Sequence, residues 1–373
     1  MTSRHDLVVV GAGPAGLATA IFAARKGLTA AVIDRGQPPI DKPCGEGLMP
    51  AAVDALLRLD VKIAPGEAFP IAGIRYIDGK IEAEGRFDRP ALGMRRWRLH
   101  QRLIERAVAT AGVELHWGVS ARGLGTGAVD TDHGIFRGRW LIGADGLASQ
   151  VRKWGGFERP SDRPLRFGMR QHFALAPWSN EVEVHFGQSC EAYVTPVALH
   201  EVGVALLWTG GKADFDSLLA RFPALVERLA GAKRSSHLQG AGAFDRRVEA
   251  VARGNLALVG DASGYRDALL GDGVALALAQ AEALVGALLA EDLERYEREH
   301  ARIVRRSRWL TGALLWLTRH PDKRSRILEA LAADPDLFDR LLAELSGVGT
   351  PRVGALFPVV RLLNRAFRAM DVG

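Results

Sequence analysis

Asp6-Leu7-Val8-Val9-Val10-Gly11-Ala12-Gly13-Pro14-Ala15-Gly16 decides the fold. Asp6 to Val10 is an apolar run of strand length that ends in three glycines. An Ala-rich stretch continues to Lys26, and Gly27 stands where a helix C-cap would sit. Thr29 to Ile33 reads as a second buried strand, ending at Asp34-Arg35. Strand, glycine turn, helix and strand in close succession make a βαβ unit, which gives a parallel sheet with a right-handed crossover. Alone, G-x-G-x-x-G serves equally well as a tight turn. Between a strand and a helix, its glycines let backbone approach a pyrophosphate at the helix N-terminus. Asp34, at the end of the next strand, is placed to accept hydrogen bonds from a ribose. Gly11, Gly13, Pro14, Ala15, Gly16, Asp34 and Arg35 are therefore candidate dinucleotide contacts.

Two later segments continue this sheet. Trp140-Leu141-Ile142 leads into Gly143-Ala144-Asp145-Gly146, and Leu256 to Val259 leads into Gly260-Asp261-Ala262-Ser263. Between them, over residues 166–208, the period changes to two. Val182, Val184 and Phe186 alternate with Glu181, Glu183 and His185, the pattern of an antiparallel sheet with one covered face. From Gly273 onward the pattern is helical, with breaks near Pro321, Pro335 and Gly347–Pro351.

The 373 residues, 48% hydrophobic and 25% charged, suit a soluble chain of about two domains. No apolar run reaches the roughly 18 residues of a membrane span, and the polar N-terminus lacks the layout of a signal peptide. Two cysteines, Cys44 and Cys190, imply no disulfide framework, so the cytoplasm is the expected compartment. The net charge of +6 lies in residues 301–373, and the rest is balanced. That argues against a nucleic-acid surface. There is no metal-ligand cluster, Ser-His-Asp arrangement or P-loop.

Gly143-Ala144-Asp145-Gly146-Leu147-Ala148-Ser149-Gln150-Val151-Arg152 resembles the Asp-Gly motif of flavoprotein monooxygenases of the p-hydroxybenzoate hydroxylase type. Asn255-Leu256-Ala257-Leu258-Val259-Gly260-Asp261-Ala262-Ser263 resembles their Gly-Asp motif. The resemblance spans residues 5–300 and implies FAD. It also implies an α/β fold: a Rossmann-like FAD-binding domain (1–70, 96–160 and 250–300) interleaved with an antiparallel β-sheet substrate domain (71–95 and 161–249). A C-terminal helical segment (301–373) follows. It places Asp261 on the flavin ribityl chain and Asp145 on the cofactor or as a brace. Arg96, in Arg96-Trp97-Arg98-Leu99, matches an arginine that reaches the FAD phosphate, and reads equally as a surface arginine.

Lys42-Pro43-Cys44-Gly45-Glu46-Gly47-Leu48-Met49-Pro50 resembles the segment beside the flavin in geranylgeranyl reductases and flavin-dependent halogenases. Gly45 would let backbone pass under the ring. Cys44 is an active-site thiol or a packed filler. Glu46 is a proton donor, a cation partner or a solvent-facing carboxylate. In Asp267-Ala268-Leu269-Leu270-Gly271-Asp272-Gly273, the resemblance turns the backbone of Gly271 and Gly273 toward the flavin pyrimidine edge, where a helix start adds positive potential. Ala268 stands where the family usually has proline. Gln171, His172, His185, Tyr193 and Trp208 line a substrate pocket or pack within the sheet.

The leading expectation is a monooxygenase that uses NAD(P)H and O2 on a small lipophilic substrate of aromatic, polyketide or quinone type. The alternative is a reductase of prenyl or quinone double bonds. The Cys-Gly loop and the helical C-terminus favour that alternative. A halogenase would carry Trp-x-Trp-x-Ile-Pro, which is missing. A flavoprotein that reports redox state without turnover is the fourth reading. Arg302, Arg305, Arg306 and Arg308 precede the apolar stretch Trp309 to Leu317, and Arg319 follows it. That stretch lies in a membrane interface, roofs the substrate cleft or packs on the FAD domain.

Overall fold

The computed structural model describes residues 4–345 and 347. Strand β1 (Arg4–Val10), helix α1 (Pro14–Ala24) and strand β2 (Ala30–Asp34) form the βαβ unit. β1 sits mid-sheet, parallel to β2 on one side and to Gly134–Gly143 on the other. Val113–Trp117 extends the sheet beyond β2, and Leu256–Leu258 extends it beyond Gly134–Gly143, both parallel. Leu7, Val8 and Val9 are fully buried, as a strand covered on both faces must be.

Because the two motif strands lie side by side next to β1, Gly11, Asp145 and Asp261 all emerge at one carboxyl edge of the sheet. Open α/β sheets bind ligands at that edge. Gly11 is held at φ +105°, and a Cβ there would lie 2.4 Å from the Ala144 carbonyl oxygen. Only glycine lets the two turns touch.

The second sheet combines the hairpin Phe69–Asp78 and Ile81–Gly93 with Arg166–Ala174, Glu181–Phe186, Cys190–Ala198 and Glu201–Thr209. It departs from expectation twice. Phe69–Asp78 runs parallel to Glu181–Phe186, so the sheet is mixed. The two strands come from distant parts of the chain, and no short turn forces them antiparallel. The sheet is also covered on both faces. Val182 and Val184 pack under Ile327, Leu328, Leu331 and Phe338 of the C-terminal helices. Glu181 and Glu183, expected on an uncovered face, are buried with His185 on the other face. Partners make this tolerable: Arg75 donates to Glu181, and Glu183 accepts from the Trp178 indole and pairs with His185.

The helix Leu293–Thr318 leads into Pro321–Ala333 and Pro335–Leu345. Arg324 grips Asp78 with two hydrogen bonds of 2.9 Å, which ties these helices to the sheet. Part of the basic C-terminal excess, residues 348–373, lies outside the described residues.

Candidate functional site

The glycine turn is built for an anion. α1 begins at Gly13 with no side-chain cap and with Pro14 in its first turn, so the first-turn N–H groups following Pro14 have no side-chain acceptor. A Cβ on Gly13 would meet nothing within 4 Å, so the space in front of the turn is open. Asp34 is tied to the turn, with Oδ2 accepting the Ala12 N–H and Oδ1 the Gly36 N–H, both at 2.8 Å. Arg35 beside it is exposed.

His100, which the sequence reading missed, braces the turn from behind. Its Nδ1 accepts the Ile40 N–H, so Nε2 carries the proton and donates to the Ala12 carbonyl at 2.7 Å. Burial, then the charge of Arg96, pushes its pKa down to about 4, so the ring is neutral. Arg96 lies one helical turn earlier on Arg96–Val108 and is 7% exposed. Its Nη1 has no hydrogen-bond partner among the described residues. A buried guanidinium N–H without a partner is costly. With the uncapped helix start, it supplies what a pyrophosphate needs, so these residues fit FAD.

Asp261 follows Leu256–Leu258, and burial raises its pKa, opposed by Lys42 and Arg96. Arg152, buried, donates to the carbonyls of Asp261 and Ala262 and to that of Leu147, clamping the two motifs together. Asp145 follows the bracing alternative of its two readings. Its Oδ1 accepts from the Ser149 hydroxyl and its Oδ2 from the Gln150 and Val151 N–H groups. Oδ2 therefore caps the short helix Gln150–Trp154 and Oδ1 holds its N-cap residue Ser149, so both oxygens brace the fold. Asp145→Ala is expected to cost about 1 kcal/mol of stability, as a lost cap does, while FAD affinity in a fluorescence titration stays within about twofold of the unmodified protein.

Thr195 and Tyr193 hold the two loops that converge on the reactive end. The Thr195 hydroxyl donates to the Gly45 carbonyl at 2.8 Å, and the Tyr193 hydroxyl donates to the Leu269 carbonyl at 3.1 Å. Arg166, buried, bonds Asp267 at 2.8 Å and Glu191 at 2.7 Å. This ion-paired anchor, with Tyr193, holds the loop that carries Ala268 in place of proline. Gly271 takes φ +66°, and Gly273 opens the helix Gly273–Leu289.

Glu46 does not face solvent. It is 2% exposed and held at φ +61°, a conformation that costs a non-glycine residue energy. Its Oε1 accepts the Arg96 N–H at 2.8 Å, and its Oε2 lies 2.5 Å from His172 Nε2. Arg170 donates to His172 Nδ1 at 2.8 Å, which leaves the imidazole proton on Nε2, toward Glu46. Arg170 also bonds Asp41 and the Lys42 carbonyl. Gly203 has no side chain where a Cβ would sit 3.3 Å from Glu46 Oε2. Cys44 Sγ accepts the Glu46 N–H at 3.3 Å. Burial first, then the Glu46 charge, pushes the thiol above its usual 9.0, while Arg96 and Arg170 pull it back.

Of the five expected substrate residues, His172 and Tyr193 face these loops. Gln171, His185 and Trp208 lie on the opposite face. Trp208 packs with Phe215 and Phe222, His185 meets Phe222 edge-on, and Gln171 donates to the Ser236 carbonyl. Strand alternation puts neighbours on opposite faces, so Gln171 and His172 could not both line one pocket.

A protein-family model described as FAD binding domain matches residues 4–305. The chain belongs to this family. It is an FAD-dependent oxidoreductase. It is 24% identical over 310 residues to digeranylgeranylglycerophospholipid reductase 1 of Methanococcoides burtonii, covering 74% of this chain and 72% of that protein. It is 58% identical to a menaquinone reductase of Mycolicibacterium smegmatis over 59 residues, which is 16% of this chain and only 14% of that protein. The fold matches a flavoprotein/dehydrogenase from Cytophaga hutchinsonii with TM-score 0.85 at 16% identity over 99% of both chains. It also matches p-nitrophenol 4-monooxygenase from Pseudomonas putida DLL-E4 with TM-score 0.76 at 18% identity, covering 93% and 99% of the two chains.

Proposed function

We propose that the protein is an FAD-dependent reductase of carbon–carbon double bonds in an isoprenoid or quinone-like lipid, with NAD(P)H as the reductant. The observation that carries this reading is the half-buried Cys44 thiol, its Sγ fixed 3.3 Å from the Glu46 N–H, with desolvation and the Glu46 charge raising its pKa and Arg96 and Arg170 opposing them. Saturating a double bond takes a hydride at one carbon and a proton at the other. FAD would be held by the α1 turn, Arg96 and Asp261 and, once reduced, would supply the hydride. The Cys44 thiol gives its proton to the second carbon. The thiolate left behind accepts the Glu46 N–H, is stabilised by Arg96 and Arg170, and regains a proton from solvent. Glu46, fixed by Arg96 N–H and His172, sets the loop that aims the thiol. The reductase relatives, similar over about three-quarters of both chains, support the same chemistry. The test is anaerobic: the enzyme is reduced with NAD(P)H and given a menaquinone or a geranylgeranyl lipid. Saturated product before oxygen enters is the expected result.

One observation favours hydroxylation as a second reading. Leu207, Phe244, Leu269 and Leu315 form an apolar cluster of the kind that keeps water from an oxygenating flavin. Product that forms only after oxygen is admitted, with an atom from labelled O2, replaces the first reading with the second.

The apolar stretch Trp309 to Leu317 is part of the helix Leu293–Thr318. Its Leu310 and Leu315 are buried, whereas Trp309 and Trp316 are 46% and 37% exposed. Exposed Arg302 and Arg305 fall on the same helical stripe as the two tryptophans. We infer that this stripe rests on an anionic membrane surface, from which a lipophilic substrate is drawn. The protein is expected to co-sediment with phosphatidylglycerol vesicles at low salt. Trp309→Ala/Trp316→Ala should lose binding with flavin retained, and full-length protein left in the supernatant at low salt overturns the idea.

A further inference from the structure

On the other flank of the Gly-Asp turn lies a cavity of about 350 Å³. The Leu293–Thr318 helix walls one side and the loop that follows Asp261 walls another. It shares only Asp261 and Gly273 with the expected cofactor contacts. Six arginines line it: Arg159, Arg163, Arg246, Arg247, Arg266 and Arg308. Four aspartates line it as well, which leaves the lining with two more arginines than aspartates. Asp267 is engaged by Arg166 from behind, and Asp245 is already bonded by Arg163, Arg247 and Ser161.

Arg163 and Arg247 are paired with Asp245, and Arg266 donates to the Arg308 carbonyl, whereas other donors of the group are left without partners. The Nε atoms of Arg246 and Arg266 are buried and make no hydrogen bond among the described residues. No described residue hydrogen-bonds the guanidinium of Arg308. Burial lowers the pKa of Arg266, and the charges of Arg163, Arg247 and Arg308 lower it further. The Arg266 guanidinium lies against Gly312 of the helix, where a Cβ would sit 2.7 Å from Nη2. Like charges gathered around a cavity, with unused donors, are stabilised by an anion that fills it.

We propose that this cavity binds the phosphate or diphosphate group of a second ligand, separate from the FAD pyrophosphate. Its volume is at the small end of ligand pockets, roughly 300–1,000 Å³, so it takes a head group while the rest of the ligand lies outside. Two sources carry this chemistry: a phosphorylated isoprenoid and a reduced nicotinamide dinucleotide. The site stands whether or not double-bond reduction is the reaction, because it is tested by binding alone.

The test is calorimetric titration of the full-length, FAD-loaded protein with inorganic pyrophosphate, which leaves the flavin's own cradle filled. Saturable uptake is expected. Arg308→Ala should weaken it about tenfold or more, the effect of one lost charge-assisted hydrogen bond. Arg159→Ala should also weaken it, Arg308→Lys should recover part of the affinity, and the flavin spectrum should not change. Competition by geranylgeranyl diphosphate but not geranylgeraniol identifies a lipid head group, and competition by NADPH identifies the dinucleotide. Absence of uptake by the holoprotein, or equal uptake by both alanine variants, overturns the proposal and leaves the arginines a structural role.

Discussion

Cys44→Ser is expected to stay yellow and to lose roughly 10²- to 10⁴-fold in turnover, the range for removing a positioned general acid. The reasoning rests on the environment of the sulfur. Burial raises the thiol above its ordinary 9.0, so the protonated form prevails across the neutral range. The proton donor is present below the raised pKa and is lost as pH rises through it. The unmodified enzyme should therefore keep a level rate through neutrality and decline only on the alkaline side. Serine titrates far higher still, so the variant's low rate should show no such decline. The Glu46 N–H that Sγ accepts is a backbone group, and serine offers it an acceptor too, so the loop should hold its shape. Stopped-flow reoxidation by substrate, measured across pH with flavin absorbance as the occupancy control, checks both parts. Full turnover by Cys44→Ser would make the sulfur a packing atom and remove the observation on which the reductase reading rests.

The cofactor half of the molecule was legible because its determinants are local. Gly11, Gly16 and Asp34 act within one βαβ unit, and the steric reason for Gly11 is contact with the motif at Ala144. The other half was harder because its determinants are distant. Glu46 and His172 are 126 residues apart, and nothing in either neighbourhood announces the pair. His100 acts on a carbonyl 88 residues away. Its one visible signal was a position four residues after Arg96, on the same face of a helix. Alternation misled at Glu181 and Glu183, where polar side chains are buried with partners instead of facing water. It could still have separated Gln171 from His172, which adjacent strand positions cannot place on one face. Asp145 shows the converse limit. A motif carboxylate read as a cofactor contact or a brace, and the Ser149 hydroxyl and the Gln150 and Val151 N–H groups that use its oxygens are invisible in sequence.

Arg96→Met is expected to weaken FAD binding roughly ten- to a hundredfold, the equivalent of about 1.5–3 kcal/mol for a hydrogen bond to a charged group. The same change should leave the FAD-free protein no less stable. Arg96 is 7% exposed, its Nη1 has no partner among the described residues, and burial lowers its pKa, partly offset by Cys44, Asp41 and Glu46. A buried cation with an unused donor is a liability that an apolar side chain of similar length removes. The hydrogen bond to Glu46 comes from the Arg96 backbone and survives the substitution. Affinity and stability should therefore move in opposite directions. Apo Tm is expected to hold or rise, while the Tm gain on adding FAD shrinks, because ligand stabilisation follows the ratio of concentration to Kd. Fluorescence quenching of FAD and thermal unfolding with and without it measure the two effects. If Arg96→Met unfolds earlier and binds FAD as tightly as before, Arg96 is a structural cation for the Glu46 loop, and the pyrophosphate must rely on the α1 amides alone.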